Sequence, residues 1–249
     1  MIRLQACHQI WPADRFVNIT TGTPTAPLRR YTLEKHVDTP CFPSSELLFT
    51  TIGIELGKLK NKVTGEELIS IKTIGAVKAL FLVITILLAS LFFYRRAMYS
   101  TLLANALVTL LVLSDPGVTL YMNTFYTEFS AVYFLYLTLI GVVVLAKNHW
   151  RLIYSWILLI GLVGLSFSKP QHAPLAFCIA ALLSLYALTK KQWAAAPLML
   201  LCAALPFIAQ QGGWYAPRNE SMIRTDNINL VGSMLGISHS PEKILADLG

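Results

Sequence analysis

The chain has 249 residues, 55% of them hydrophobic and only 13% charged, where ordinary soluble domains carry roughly 25% charged residues. With a mean hydropathy of +0.58, this balance excludes a disordered chain, a nucleic-acid-binding module and most cytosolic enzymes. The net charge of +7 does not revive nucleic-acid binding, because its excess lies between 72 and 210, where nine Lys/Arg accompany only Asp115 and Glu128. Those cations stand in short clusters between apolar runs, as the loop charges of a polytopic membrane protein do.

Residues 1–71 are polar and rich in Pro, Thr and charge. Ser44 and Ser45 before Glu46, followed by an apolar spacing, predict a helix from Ser45 to Leu59. Met1 is followed by no apolar signal sequence, yet an external segment of this length needs something to export it. The expectation is that an upstream helix is missing, the other reading being translocation by the first span. Cys7 and Cys41 share this segment. An oxidising compartment permits a disulfide between them, and two unrelated thiols is the alternative. Cys178 and Cys202 fall in apolar runs and are expected to pack as small apolar residues.

Six apolar runs follow: Thr73–Phe93, Tyr99–Ser114, Phe129–Ala146, Leu152–Phe167, Pro174–Leu188 and Trp193–Ala209. Several are nearer 16 than the roughly 20 residues that span a bilayer, so polar flanks or shielding within a bundle must contribute. Lys190-Lys191 divides the last two runs and predicts a tight αα-hairpin. The fold class is thus all-α: a polytopic transmembrane bundle of about six spans with an N-terminal extracytoplasmic segment. The divisions are 1–71 for that segment, 72–210 for the bundle and 211–249 for a C-terminal tail. Arg95-Arg96, Lys147 with His149 and Arg151, and Lys190-Lys191 occupy alternate loops, which the positive-inside rule makes cytoplasmic. Both termini then lie outside. Tyr94, Tyr99, Trp150, Tyr154 and Trp193 near the basic ends suit an interfacial belt.

The outer loops carry the candidate chemistry. Asp115 and Glu128 bound a loop that also holds Tyr121, Asn123 and Tyr126. Acids at a membrane boundary are costly unless solvated or paired, which marks them as functional candidates. Hydroxyl, amide and aromatic groups around them suit a sugar. Each acid also has a structural reading: Asp115 before Pro116-Gly117 as a turn residue, Glu128 as a carboxylate at a helix N-terminus. The next outer loop offers Lys169, Gln171 and His172. Lys169 is suited to a lipid phosphate or diphosphate, or to snorkelling, and Arg224 beyond the last span can add a phosphate contact. Lys78, near the outer end of span one, is expected to snorkel to the same interface. The spans hold few ionisable groups, whereas a transporter places polar groups near the midplane.

The run Tyr121-Met122-Asn123-Thr124-Phe125-Tyr126-Thr127-Glu128 after an Asp-Pro-Gly turn, followed by Ser168-Lys169-Pro170-Gln171, resembles bacterial polytopic membrane glycosyltransferases of the GT-C type. The tail from Arg224 through Ser238-His239-Ser240-Pro241 to Gly249 is similar to a segment that recurs after the last helix of such a block. The likeness covers most of residues 40–249. It implies transfer of a sugar from a polyprenyl-phosphate carrier to a cell-surface glycan, on the non-cytoplasmic side of a bacterial inner membrane. Membrane lipid, the lipid-linked sugar and the glycan acceptor are the implied partners, without nucleic acid. A divalent metal is left open as a cofactor.

In such enzymes the catalytic acid usually lies in the first external loop, after a first helix. No helix precedes residues 1–71 here, so in a fragment of a longer enzyme either Asp14, Asp38 or Glu46 would hold that place or the acid would lie upstream of this chain. The bet from the loops themselves is Asp115 as base or metal-facing carboxylate, and Glu128 as its partner. Lys169 and Arg224 would take phosphate, and Tyr121, Asn123, Tyr126, Gln171 and His172 the sugar. A lipid or glycan translocator and a non-catalytic assembly subunit are the rival readings.

Overall fold

The computed structural model describes residues 10–12, 30–33, 44–123, 128–147, 152–169, 172–191 and 195–211. Within them the chain is a helical bundle with a small sheet at its N-terminal side. The helices are α1 (Glu46–Thr64), α2 (Ile71–Arg95), α3 (Tyr99–Val108), α4 (Pro116–Leu120), α5 (Glu128–Lys147), α6 (Leu152–Ser166), α7 (Ala173–Thr189) and α8 (Ala195–Gln211). Among the described residues, each of the six apolar runs of the sequence has its helix. Helices α2 and α5 are each long and apolar enough to cross a membrane, while α3 and α6–α8 are shorter apolar helices.

The expected helix from Ser45 to Leu59 exists and runs on to Thr64. Its buried residues Glu46, Phe49, Thr50, Gly53, Ile54 and Gly57 recur every three or four positions and form one stripe. Gly65 ends it with φ +71°, its N–H donating to Asn61 O at 2.8 Å. A left-handed terminus of this kind favours glycine. At the other end Ser44 Oγ, rather than that of Ser45, accepts from Glu46 N at 3.2 Å.

The sheet has no counterpart in the sequence reading. Strands β1 (Ile10–Pro12), β2 (Arg30–Leu33) and β3 (Ile69–Ser70) pair antiparallel in that order. Two to four residues give no usable alternation, so such strands leave little trace in the sequence. Pairing of Tyr31 with Ile69 brings Tyr31 into a small core with Ile54, Ile71 and Ile74. This core ties the polar segment to the base of α2.

Phe49 of α1 is fully buried in the main core. Its ring meets Phe81 of α2 and Phe129, Tyr133 and Phe134 of α5, with centroids 5.1–6.0 Å apart. Gly53 allows the backbones to come close: a Cβ there would lie 2.7 Å from Ile74 Cα. So α1, though polar on one side, is packed into the bundle.

Helices α5 and α6 pack backbone to backbone. A Cβ on Gly141 would lie 2.8 Å from Leu158 N and Cα, and one on Gly161 2.6 Å from Thr138 Oγ1. Small residues at such crossings let membrane helices approach. Ala180, Ala187, Ala196 and Ala203 do the same between α7 and α8. Ser184 Oγ donates within this contact, to Ala180 O at 2.7 Å and Ala196 O at 2.9 Å. The expected hairpin at Lys190-Lys191 is present, with Lys191 at φ +58°. Cys178 corrects the sequence reading: it is exposed on α7, and Cys202 is half-buried.

Helix α3 loosens into a π-helical turn at Thr109–Leu113. Its inward face carries Asn105, whose amide donates to Ser90 Oγ of α2 at 3.0 Å. Tyr136 of α5 donates its hydroxyl to Asn105 Oδ1 at 2.8 Å. Thr85 Oγ1 and the Tyr133 hydroxyl share a further bond at 2.9 Å. Polar groups within a membrane bundle need partners of this kind.

Candidate functional site

Ionisable and hydroxyl side chains from α1, α2, α5 and the α6–α7 loop gather at one end of the bundle. The innermost pair is Glu46 of α1 and Lys78 of α2, with Nζ 2.5 Å from Oε1 and both side chains fully buried. Lys78 Nζ also donates to the Tyr121 carbonyl at 3.2 Å and lies 5.4 Å from the Phe129 ring centroid. Glu46 Oε2 accepts from Ser130 N, at the start of α5, at 3.0 Å. An acid side chain suits the positive end of a helix.

Lys78 therefore does not snorkel, as its place near the end of an apolar run led one to expect. It reaches inward because a buried carboxylate waits there. Burial pushes the Glu46 carboxyl up to about 7, against the opposing pull of the Lys78 charge and of the Ser130 hydrogen bonds. In the sequence Glu46 marks a helix start, and only the family likeness makes it a candidate acid. The position of Lys78 in an apolar run points it outward, since nothing in a one-dimensional pattern pairs two residues of different helices.

The outer pair is Glu128 and Lys169, 3.1 Å apart and partly open to solvent, with side-chain exposures of 28% and 34%. Both were candidates from sequence, and the fold brings them together across 41 positions. Among the described residues, Glu128 Oε2 has no hydrogen-bond partner. Beside them Ser168 Oγ bonds His172 Nδ1 at 3.1 Å. Burial pulls the His172 imidazole below the ordinary histidine range; the Lys169 charge adds to this and Glu128 opposes it. The α6–α7 loop is anchored by backbone: Ser45 N donates to Phe167 O at 3.0 Å and Ser44 Oγ to Ser168 O at 2.8 Å. The polar segment thus braces the loop that carries Lys169.

Asp115 occupies a different setting. It is exposed and caps α4, accepting from Gly117 N at 2.7 Å, the turn role foreseen for it. Tyr121 is half-buried, packs against the main core and offers its carbonyl to Lys78. Asn123 closes the same short 3₁₀ turn. Tyr126, Gln171, Arg224, Asp14, Asp38 and the pair Cys7 and Cys41 lie outside the described residues. Among those described, no three of His, Cys, Asp and Glu converge as a metal site would require.

Apolar helices that satisfy their polar groups internally, with ionisable residues gathered at one end, define a helical membrane protein, whose surroundings are membrane lipid. The model of the YfdI N-terminal transmembrane domain matches residues 28–249, and the chain belongs to that family. No curated protein and no solved structure matches it.

Proposed function

We propose that the chain is the membrane domain of a glycosyltransferase. It moves a sugar from a polyprenyl-phosphate carrier to a cell-surface glycan, on the non-cytoplasmic side of a bacterial inner membrane. In this reading 1–71 is extracytoplasmic, 72–210 the membrane bundle and 211–249 an extracytoplasmic tail, with both ends of the chain outside. The observation that carries it is the partly exposed Glu128–Lys169 pair, braced by a buried ion pair at the end of an apolar bundle. An enzyme acting on an amphipathic lipid needs its polar site at an interface, with apolar walls below.

Glu128 takes the proton of an acceptor hydroxyl as its oxygen bonds to the anomeric carbon. The carbon–oxygen bond to the carrier breaks, and the electron pair leaves on the phosphate, where Lys169 offsets the negative charge. Arg224 is a second phosphate contact, and Tyr121, Asn123, Tyr126, Gln171 and His172 hold the sugar. Asp115 shapes the loop between α3 and α5 and is the alternative base. Transfer measured in membranes from wild type, Glu128→Gln and Asp115→Asn tests this. Loss of at least a hundredfold in Glu128→Gln, with normal expression, is expected. Retained transfer in both variants would remove the assignment and favour a translocator.

A further inference from the structure

Lys169 and Glu128 face each other where a carrier's phosphate is proposed to bind, and this raises the question of how one cation serves two anions. Lys169 is the partly exposed cation of the cluster, whereas Lys78 is sealed beneath Phe129 and bound to Glu46. Any phosphate arriving from outside therefore meets Lys169, and finds Glu128 Oε1 already on its Nζ at 3.1 Å.

We infer that Glu128 is a built-in stand-in for the phosphate: the arriving phosphate displaces it from Lys169, and the carboxylate is freed for the acceptor hydroxyl only once the carrier is in place. This rests on the reading of the cluster as a phosphate site. Three observations support the exchange. The pair is partly exposed, so separating it seals neither side chain wholly from water, unlike the buried Glu46–Lys78 pair. Glu128 heads α5, whose N-terminus favours the carboxylate after Lys169 departs. Its position is held independently of Lys169, because Ser130 N, two residues on, is bound to Glu46. The ionisable groups beside the pair are Lys78 from α2 and His172, which precedes α7.

A self-occupied site makes a definite prediction. A ligand that must break a resident pair binds more weakly by the fraction of time the site stands open. Binding of polyprenyl phosphate is measured with the full chain in phosphatidylcholine nanodiscs, for wild type, Glu128→Gln and Lys169→Ala. Glu128→Gln is expected to bind about two- to fivefold more tightly while losing transfer. Lys169→Ala is expected to lose binding by at least that factor. Should Glu128→Gln fail to fold, Glu128→Asp keeps the charge at the helix terminus on a side chain one methylene shorter, and tightening is expected again.

Equal or weaker binding in a folded Glu128 variant, with binding lost in Lys169→Ala, overturns the exchange and leaves the phosphate site standing. Unchanged binding in Lys169→Ala overturns both. Competition with inorganic phosphate separates the two sources of the anion. Displacement at equal affinity assigns the site to free phosphate and retains the exchange. Weak competition by inorganic phosphate assigns the site to the lipid headgroup.

Discussion

Glu46 and Lys78 form an ion pair from which solvent is wholly excluded, joining a helix of the polar segment to the long apolar helix α2. Two charges taken out of water cost several kcal/mol each, and their attraction repays this only when further bonds satisfy the remaining atoms. Here the Tyr121 carbonyl and the Ser130 N–H supply them. The pair thus fixes how α1, the 3₁₀ turn and the start of α5 meet, rather than adding much net stability.

That gives a double-mutant prediction. Glu46→Leu or Lys78→Met alone leaves a buried charge without its partner and should cost about 3–5 kcal/mol. Glu46→Leu combined with Lys78→Met should recover most of the loss. Melting of the purified protein in detergent checks it, and additive losses in the double variant would contradict the pairing.

The close crossing of α5 and α6 predicts intolerance of side chains at its glycines. Gly161→Ala would drive a methyl into Thr138, and Gly141→Ala one into the Leu158 backbone. Overpacking of this sort costs typically about 1–3 kcal/mol. Gly65→Ala loses stability for another reason, its left-handed backbone, with no atom in the way. Melting temperatures of the three variants, with crosslinking between α5 and α6, distinguish separation from local strain.

His172 sets a pH dependence. Its imidazole sits below the ordinary value through burial and the Lys169 charge. A lowered histidine contributes stability above the unfolded value of about 6.5, and that contribution is lost as pH falls through the folded value. Wild type should therefore lose melting temperature below about pH 6.5 more steeply than His172→Gln. Parallel curves would show that the Ser168–His172 contact does not depend on the neutral ring.

Within the membrane, Asn105 links α3 to α2 and α5. Tyr136→Phe should cost about 0.6–2 kcal/mol, the range of interhelical hydrogen bonds in bilayers. Asn105→Ala removes bonds to two helices and should cost more than Tyr136→Phe. The comparison is read from steric trapping or thermal melting in bilayer mimetics.

What the sequence determined by itself was local and periodic. Runs of apolar residues placed the membrane helices, because a bilayer demands long apolar stretches, and the two serines before Glu46 placed the start of α1. Glu128, Lys169 and His172 stood out because charges are scarce in such a chain. Asp115 carried its turn in the three residues Asp-Pro-Gly. Tertiary structure alone decided that Lys78 turns inward to Glu46, that Glu128 meets Lys169, and that Tyr31 joins a sheet with Ile69. These contacts link positions from 32 to 41 residues apart in sequence, and their energies come from burial and charge in three dimensions. A linear pattern records which side chains a helix can bury, whereas the partner of each depends on which helix lies beside it.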